Sequence, residues 1–355
     1  MGTGAKKQIE CLQAGRALAA IAVCLHHAAL SASGLITPVP AFLGKVLEHG
    51  WAGVDFFFVL SGFIIYHSAV STGLPMPDAQ LYARNRLLRI FAPYLPISIG
   101  LMIAYAAMPS LSGSAREWAL LPSLTLMPWP GRTALSVAWT LQHELVFYAI
   151  FGLAFFTGNV RAGMIAWAAA IIAAWALGIG LAGAARFVLA PINLEFLMGI
   201  ALAVLTYRSR PLHWVLPIGV ALVAFAIWGA TFQFSRQMSP LFGLCLAALM
   251  LPLIQAEIAG RVRVPSGLIY LGAASYSLYL VHNPLLSLTI RVARKIPILD
   301  TVGGSILFGV ATSLLVGISY HELVEKPATR MLRSRQVSDR NTIARPAHTD
   351  LDAGT

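Results

Sequence analysis

Arg16 and His27 stand eleven positions apart in an otherwise apolar run. At 1.5 Å per residue that offset is about 16 Å, and eleven residues are close to three helical turns. Both side chains therefore fall on nearly one face of a helix. An arginine fork suits phosphate oxygens, and a histidine can take and return a proton near neutral pH. A second histidine, His26, adjoins the first. Asp55 heads an apolar run over residues 53–63, where it could cap a helix or orient a histidine. Arg84, Arg86 and Arg89 introduce a further run. Arg86 and Arg89 are three apart and share a helix face, as orientation signals or as phosphate ligands. Residues 142–144 read Gln-His-Glu, and Glu144 has the chemistry of a general acid or base. His282 is followed by Asn283-Pro284, which breaks a helix locally and bares backbone carbonyls beside the histidine. Glu195 reads as a structural partner, and Glu325 as one half of a cytoplasmic salt bridge with an arginine.

The surroundings make these residues informative. The chain has 355 residues, 58% hydrophobic and only 11% charged, against about 25% charged in an average soluble protein. An ionisable group at the centre of a membrane helix costs roughly 2.5–3.5 kcal/mol on the insertion scale, so it usually has a task. The composition excludes an ordinary soluble domain, a disordered chain and a collagen-like chain. It predicts an all-α, polytopic integral membrane protein with about ten transmembrane helices, near residues 14–33, 52–70, 87–107, 137–156, 162–181, 187–206, 212–230, 240–256, 268–290 and 302–321. Residues 118–129, apolar but short and holding Pro122 and Pro128, read as an interfacial or re-entrant segment. Residues 1–12 form a cytoplasmic N-terminal segment, 13–333 the membrane domain and 334–355 a disordered cytoplasmic tail. Lys6 and Lys7 ahead of an apolar stretch resemble a signal peptide. Arg16, His26 and His27 favour a retained first helix instead.

The formal net charge is +11. With ten spans and a cytoplasmic N-terminus, 17 of the 25 Lys and Arg residues fall inside, as the positive-inside rule requires. Both termini are then cytoplasmic, and nucleic acid is not an expected partner. Cys11, Cys24 and Cys245 are too few and too scattered for a disulfide framework or a metal site. No metal is expected. The arginines cluster at one face, and His27, Asp55, Glu144 and His282 lie at mid-membrane or in the outer half. Such layering suits transfer of a group from a cytoplasmic phosphorylated carrier toward the outside.

Six motifs in order resemble those of acyltransferase family 3, whose members O-acetylate bacterial surface polysaccharides and related acceptors. They are Arg16 with His27, the Gly-Val-Asp-x-Phe-Phe-x-x-Ser-Gly of residues 53–62, Arg86 with Arg89, and the Trp-Thr-Leu-x-x-Glu-x-x-Phe-Tyr of 139–148. The Ser-Tyr-x-Leu-Tyr-x-x-His-x-Pro of 275–284 and the Glu-x-Pro of 325–327 complete the set. The resemblance covers about residues 13–332 and looks most like the exopolysaccharide O-acetyltransferase branch. Many relatives carry Glu-Glu where this chain has Glu144-Leu145, so Leu145 cannot supply a second acid.

The resemblance implies a membrane domain over 13–333 that moves an acetyl group from cytoplasmic acetyl-CoA to a hydroxyl of a surface polysaccharide or its lipid-linked precursor. It implies a multi-pass protein of the bacterial inner membrane, in contact with the lipid bilayer and with polysaccharide-assembly proteins as candidate partners. Arg16, Arg86 and Arg89 would hold the acetyl-CoA phosphates. His27 would be general base or transient acyl acceptor, Asp55 would orient it, and Glu144 or His282 would assist or bind acceptor. Direct transfer and an acyl-histidine stay open, as do acetyl against succinyl. A proton-coupled transporter or flippase of the polysaccharide pathway is the rival reading, since buried His, Asp and Glu also describe carriers. A non-catalytic assembly scaffold is a third.

Overall fold

The computed structural model describes residues 9–35, 41–69, 78–108, 117–129, 131–206, 218–219, 222–223 and 239–331. Among the described residues every regular element is helical. In chain order they are α1 (Glu10–Leu35), α2 (Ala41–Glu48), α3 (Ala52–Ala69), α4 (Ala79–Ala107), α5 (Leu120–Thr125) and α6 (Trp139–Phe156). Then come α7 (Val160–Ala176), α8 (Ala185–Val188), α9 (Leu194–Thr206), α10 (Ser239–Ile258), α11 (Ser266–Ala293) and α12 (Val302–Tyr320). A π-helical turn, His321–Glu325, extends α12.

Among the described residues, six segments are long and apolar enough to cross a membrane. They contain α1, α3, α4, α6, α10 and α12, so the molecule is a multi-pass membrane protein. The expectation of about ten spans is met only in part. The segment expected at 187–206 divides: α8 is one turn, Pro191–Asn193 is a 3-10 turn, and only Leu194–Thr206 is α-helical. Pro191 stands at the first position of the 3-10 turn, where a missing N–H costs no helical hydrogen bond, so it marks a start and not the middle of a helix. α7 has 17 residues, at the short end of a span. α11 is long, at 28 residues, but carries Ser, Tyr, His and Asn along its length. The span expected at 212–230 and the tail expected at 334–355 lie outside the described residues. Residues 118–129 do not span. α5 lies against α4, where the hydroxyls of Tyr94 and Ser98 both donate to the Ser123 carbonyl, at 2.7 and 2.8 Å.

Several contacts hold the chemistry-bearing helices in place. The first N–H groups of a helix have no partner within it. The Glu257 carboxylate accepts two of them at the start of α1, from Glu10 at 2.6 Å and Cys11 at 2.7 Å. A negative group there also meets the positive end of the helix dipole. α4 is capped locally, Asp78 accepting from the Leu81 N–H at 2.7 Å.

α1 lies along α11 and against α3, and α3 lies against α9. Lipid gives helices no hydrophobic reason to pair, so close approach through small residues matters. A Cβ on Gly62 would sit 1.9 Å from the Phe196 carbonyl oxygen, and one on Gly199 would sit 1.9 Å from that of Val59. The pair of glycines lets α3 and α9 touch backbone to backbone. Gly62→Val is expected to force these helices apart and destabilise the protein by about 1–3 kcal/mol or more. A thermal-unfolding midpoint in detergent equal to that of the natural chain would contradict this packing.

Candidate active site

A cavity of about 680 Å³ opens among α1, α3, α4, α6, α11 and the turn after α12. Cations outnumber acids on its wall: Arg16, Arg89, Lys326 and Arg330 against Glu144 and Glu325. Apolar side chains such as Phe57, Leu141 and Ile90 share the lining. Arg16 is held from two sides, its Nε donating to Ser275 Oγ at 3.1 Å and its Nη1 to Gln13 Oε1 at 3.3 Å. The cavity thus combines fixed positive charge with a greasy wall. That combination suits a ligand with phosphates at one end and an apolar arm at the other.

Residues 142–144 separate by direction, because successive helix residues point about 100° apart. The Gln142 amide donates to the Met127 carbonyl at 3.0 Å. His143 Nδ1 lies 3.0 Å from Asn193 Oδ1, in the protein interior. Only Glu144 lines the cavity. Its Oε1 accepts from Ser61 at 3.2 Å and from the hydroxyl of Tyr148, one turn on along α6.

Arg86 and Arg89 part company in the same way. Arg89 lines the cavity, and Arg86 is not among its lining residues. The Arg86 guanidinium lies over the rings of Tyr82 and Tyr148, 5.6 and 5.5 Å from their centroids. It therefore stands behind Tyr148, the residue that donates to Glu144.

Glu325 is brought to the cavity by the π-helical turn. It accepts from Ser277 at 2.6 Å and meets His321 Nδ1 at 2.8 Å. The ion-pair partner seen for it is His321, one turn back, rather than an arginine. π-helical turns recur at functional sites because they re-aim side chains within a helix.

His27, expected as the base, lies against His282, one of the two residues expected to assist it or to bind acceptor. His282 Nε2 lies 3.3 Å from His27 Nδ1, with ring centroids 5.0 Å apart. The hydrogen bonds define which nitrogens carry protons. His282 Nδ1 faces two carbonyl oxygens, of Tyr279 at 2.7 Å and Leu278 at 3.2 Å. Carbonyls only accept, so Nδ1 is the protonated nitrogen of neutral His282 and Nε2 holds its lone pair. His27 Nδ1 faces that lone pair and the Val23 carbonyl at 3.0 Å. It too must donate, which puts the lone pair of neutral His27 on Nε2. The arrangement is that of a general base whose other nitrogen is held by an orienting partner.

Asp55 lies in a separate polar knot. Ser239 Oγ lies 2.9 Å from Asp55 Oδ1 and also hydrogen-bonds Glu195 Oε1. Both acids are buried. A serine has one hydroxyl proton, so one of the two carboxyls must itself be protonated for both contacts to form. The knot ties α3, α9 and α10 together, with Glu195 as its member on α9. Sequence reading did not single out Tyr148, His321, Lys326 or Arg330. The i, i+4 spacings of Glu144 with Tyr148 and His321 with Glu325 were the available signals.

Comparison with known proteins defines the class. Residues 9–320 match the acyltransferase domain model of acyltransferase family 3, and the chain belongs to that family. It is an O-acyltransferase. The exopolysaccharide production protein ExoZ of Rhizobium meliloti is 28% identical over 309 residues, covering 81% of this chain and 92% of that protein. The acyltransferase MdmB of Streptomyces mycarofaciens is 27% identical over 366 residues, covering 90% and 92%. No solved structure matches significantly.

Proposed function

We propose that the chain moves an acetyl group from cytoplasmic acetyl-CoA to a hydroxyl of a surface polysaccharide or its lipid-linked precursor, within the bacterial inner membrane. The observation that carries this reading is the position of His27. The large cavity with its arginines lies toward the start of α1 and reaches Tyr279 and Thr140. A second, open cavity of about 390 Å³ lies at the far side and has His27 in its wall. Between them stand Thr140 and Tyr279, their hydroxyls 3.0 Å apart, and His282, its ring centroid 5.5 Å from that of Tyr279. One cavity with His27 in its wall, and a larger one reaching the Tyr279 that packs on His282, suit an acceptor from one face and a donor from the other. The acetyl group reaches a hydroxyl held at His27 only where the two cavities join at this wall.

The lining of the larger cavity supports acetyl-CoA as the donor. Arg16 and Arg89, with Lys326 and Arg330 nearer the chain's end, would bind its phosphates, and the apolar wall would take the pantetheine arm. The bias of basic residues toward one side favours a cytoplasmic position for that face and for both termini. His27 Nε2 takes the proton of the acceptor hydroxyl as its oxygen attacks the thioester carbonyl. The new C–O bond forms, the C–S bond breaks, and the proton passes from His27 to the departing thiolate. The products are the O-acetyl ester and free CoA thiol. His282 holds the His27 ring. Glu144, seated by Ser61 and Tyr148, faces the donor side, with Arg86 acting behind it through Tyr148. Asp55 holds α3 to α9 and α10.

Family membership and the ExoZ likeness support polysaccharide acylation over transport. The test is transfer of label from radioactive acetyl-CoA to polysaccharide in sealed membrane vesicles. Label that depends on the presence of the chain is the expected result. Equal label with and without the chain would overturn the reading.

A further inference from the structure

The cavity beside His27 has a chemistry of its own. Ser31 on α1, Ser136 ahead of α6, Trp139 on α6 and Asn283 on α11 line it, with Leu30 at its edge. Its volume, about 390 Å³, falls within the range of about 300–1,000 Å³ usual for small-ligand sites. Among the described residues that line it there is no Arg, Lys, Asp or Glu. Asn283 donates one amide hydrogen to Ser136 Oγ, which ties α11 to the start of α6. An amide side chain has a second hydrogen and a carbonyl oxygen to offer another partner. Trp139 is fixed by its neighbours, its ring 5.8 Å from His143 and 6.3 Å from Phe58. A rigid indole, an amide and two hydroxyls around one hollow form a surface of mixed polarity, with one aromatic face among hydrogen-bonding groups. A sugar ring is the matching ligand, with apolar C–H faces and hydroxyls around its edge.

We infer that this hollow is the acceptor subsite, and that it seats one uncharged sugar residue with the hydroxyl to be acylated toward His27. The inference rests on the transfer reading above and narrows it. With no cation among the described lining residues, a uronate carboxylate or a sugar phosphate would enter as an uncompensated charge. The esterified residue is therefore a neutral sugar, and charged residues of the same polymer lie outside the hollow. Ser31, half-buried at the opening, limits how large the ring's substituents can be.

The test uses the full chain in sealed membrane vesicles carrying the cells' own surface polysaccharide, with radioactive acetyl-CoA as donor. Ser31→Trp fills the hollow from a position outside the packed core, and Asn283→Ala removes its amide. Each is expected to lower label in the polysaccharide by about tenfold or more. The dissociation constant of each purified variant for acetyl-CoA should stay within about twofold of the natural chain. Hydrolysis of the labelled polymer should release the ester on a neutral sugar. Unchanged transfer in both variants would overturn the subsite, as would label on a uronic acid. So would a parallel loss of acetyl-CoA binding, which would assign the hollow to the donor side or to folding. Absence of label with the natural chain would instead remove the transfer reading beneath it.

Discussion

His27→Ala is expected to lower acetyl transfer by about 100-fold or more, the usual scale for loss of a general base. Its affinity for acetyl-CoA should change little, because His27 is in the wall of the smaller cavity and is not among the residues lining the donor cavity. That combination, turnover lost and donor binding kept, separates a reacting group from a packing residue. His282→Ala should cause a smaller loss, since it removes the partner of Nδ1 but leaves the base itself. Transfer within a few-fold of normal in His27→Ala would sink the catalytic assignment, whether the histidine acts as base or as transient acyl carrier.

The second large effect is expected on the donor side, and it should divide the arginines. Arg16→Ala and Arg89→Ala should each weaken acetyl-CoA binding by roughly tenfold or more, the scale of one charge-assisted hydrogen bond at about 1.5–3 kcal/mol. Arg86 lies against the Tyr82 and Tyr148 rings rather than on the cavity wall. Arg86→Ala should leave the dissociation constant nearly unchanged and lower turnover, through the Tyr148 hydroxyl that seats Glu144. Isothermal titration with acetyl-CoA, paired with initial rates, distinguishes the two cases. Equal losses of affinity in all three variants would place Arg86 in the donor site as well.

Much of this site was legible in the sequence because a membrane makes ionisable residues conspicuous. Arg16, Glu144, His27 and His282 stood out against apolar neighbours, and helix spacing alone gave the Arg16–His27 offset. Spacing could not say which of two residues on neighbouring faces enters a cavity. Arg86 and Arg89 share a helix face by sequence, yet one stands behind Tyr148 and the other lines the larger cavity. One partner of His27 is His282, 255 positions away, and one partner of Asp55 is Ser239, 184 positions away. Local pattern cannot carry pairings at that range. The helices with continuous apolar runs were legible too. The break at Pro191 was less so, because an apolar run reads as a span even where one proline divides it into turns.

In the proposed reaction the donor enters at one membrane face and the acceptor at the other, and they meet at His27. Sealed vesicles of defined orientation test this most directly. Radioactive acetyl-CoA is supplied either to the cytoplasmic face or to the opposite face, and ester-bound label in the polysaccharide is counted. Label should accumulate only when the donor is on the cytoplasmic face, and His27→Ala should abolish it. Transfer that proceeds equally from either face, or that persists in His27→Ala, would contradict the account.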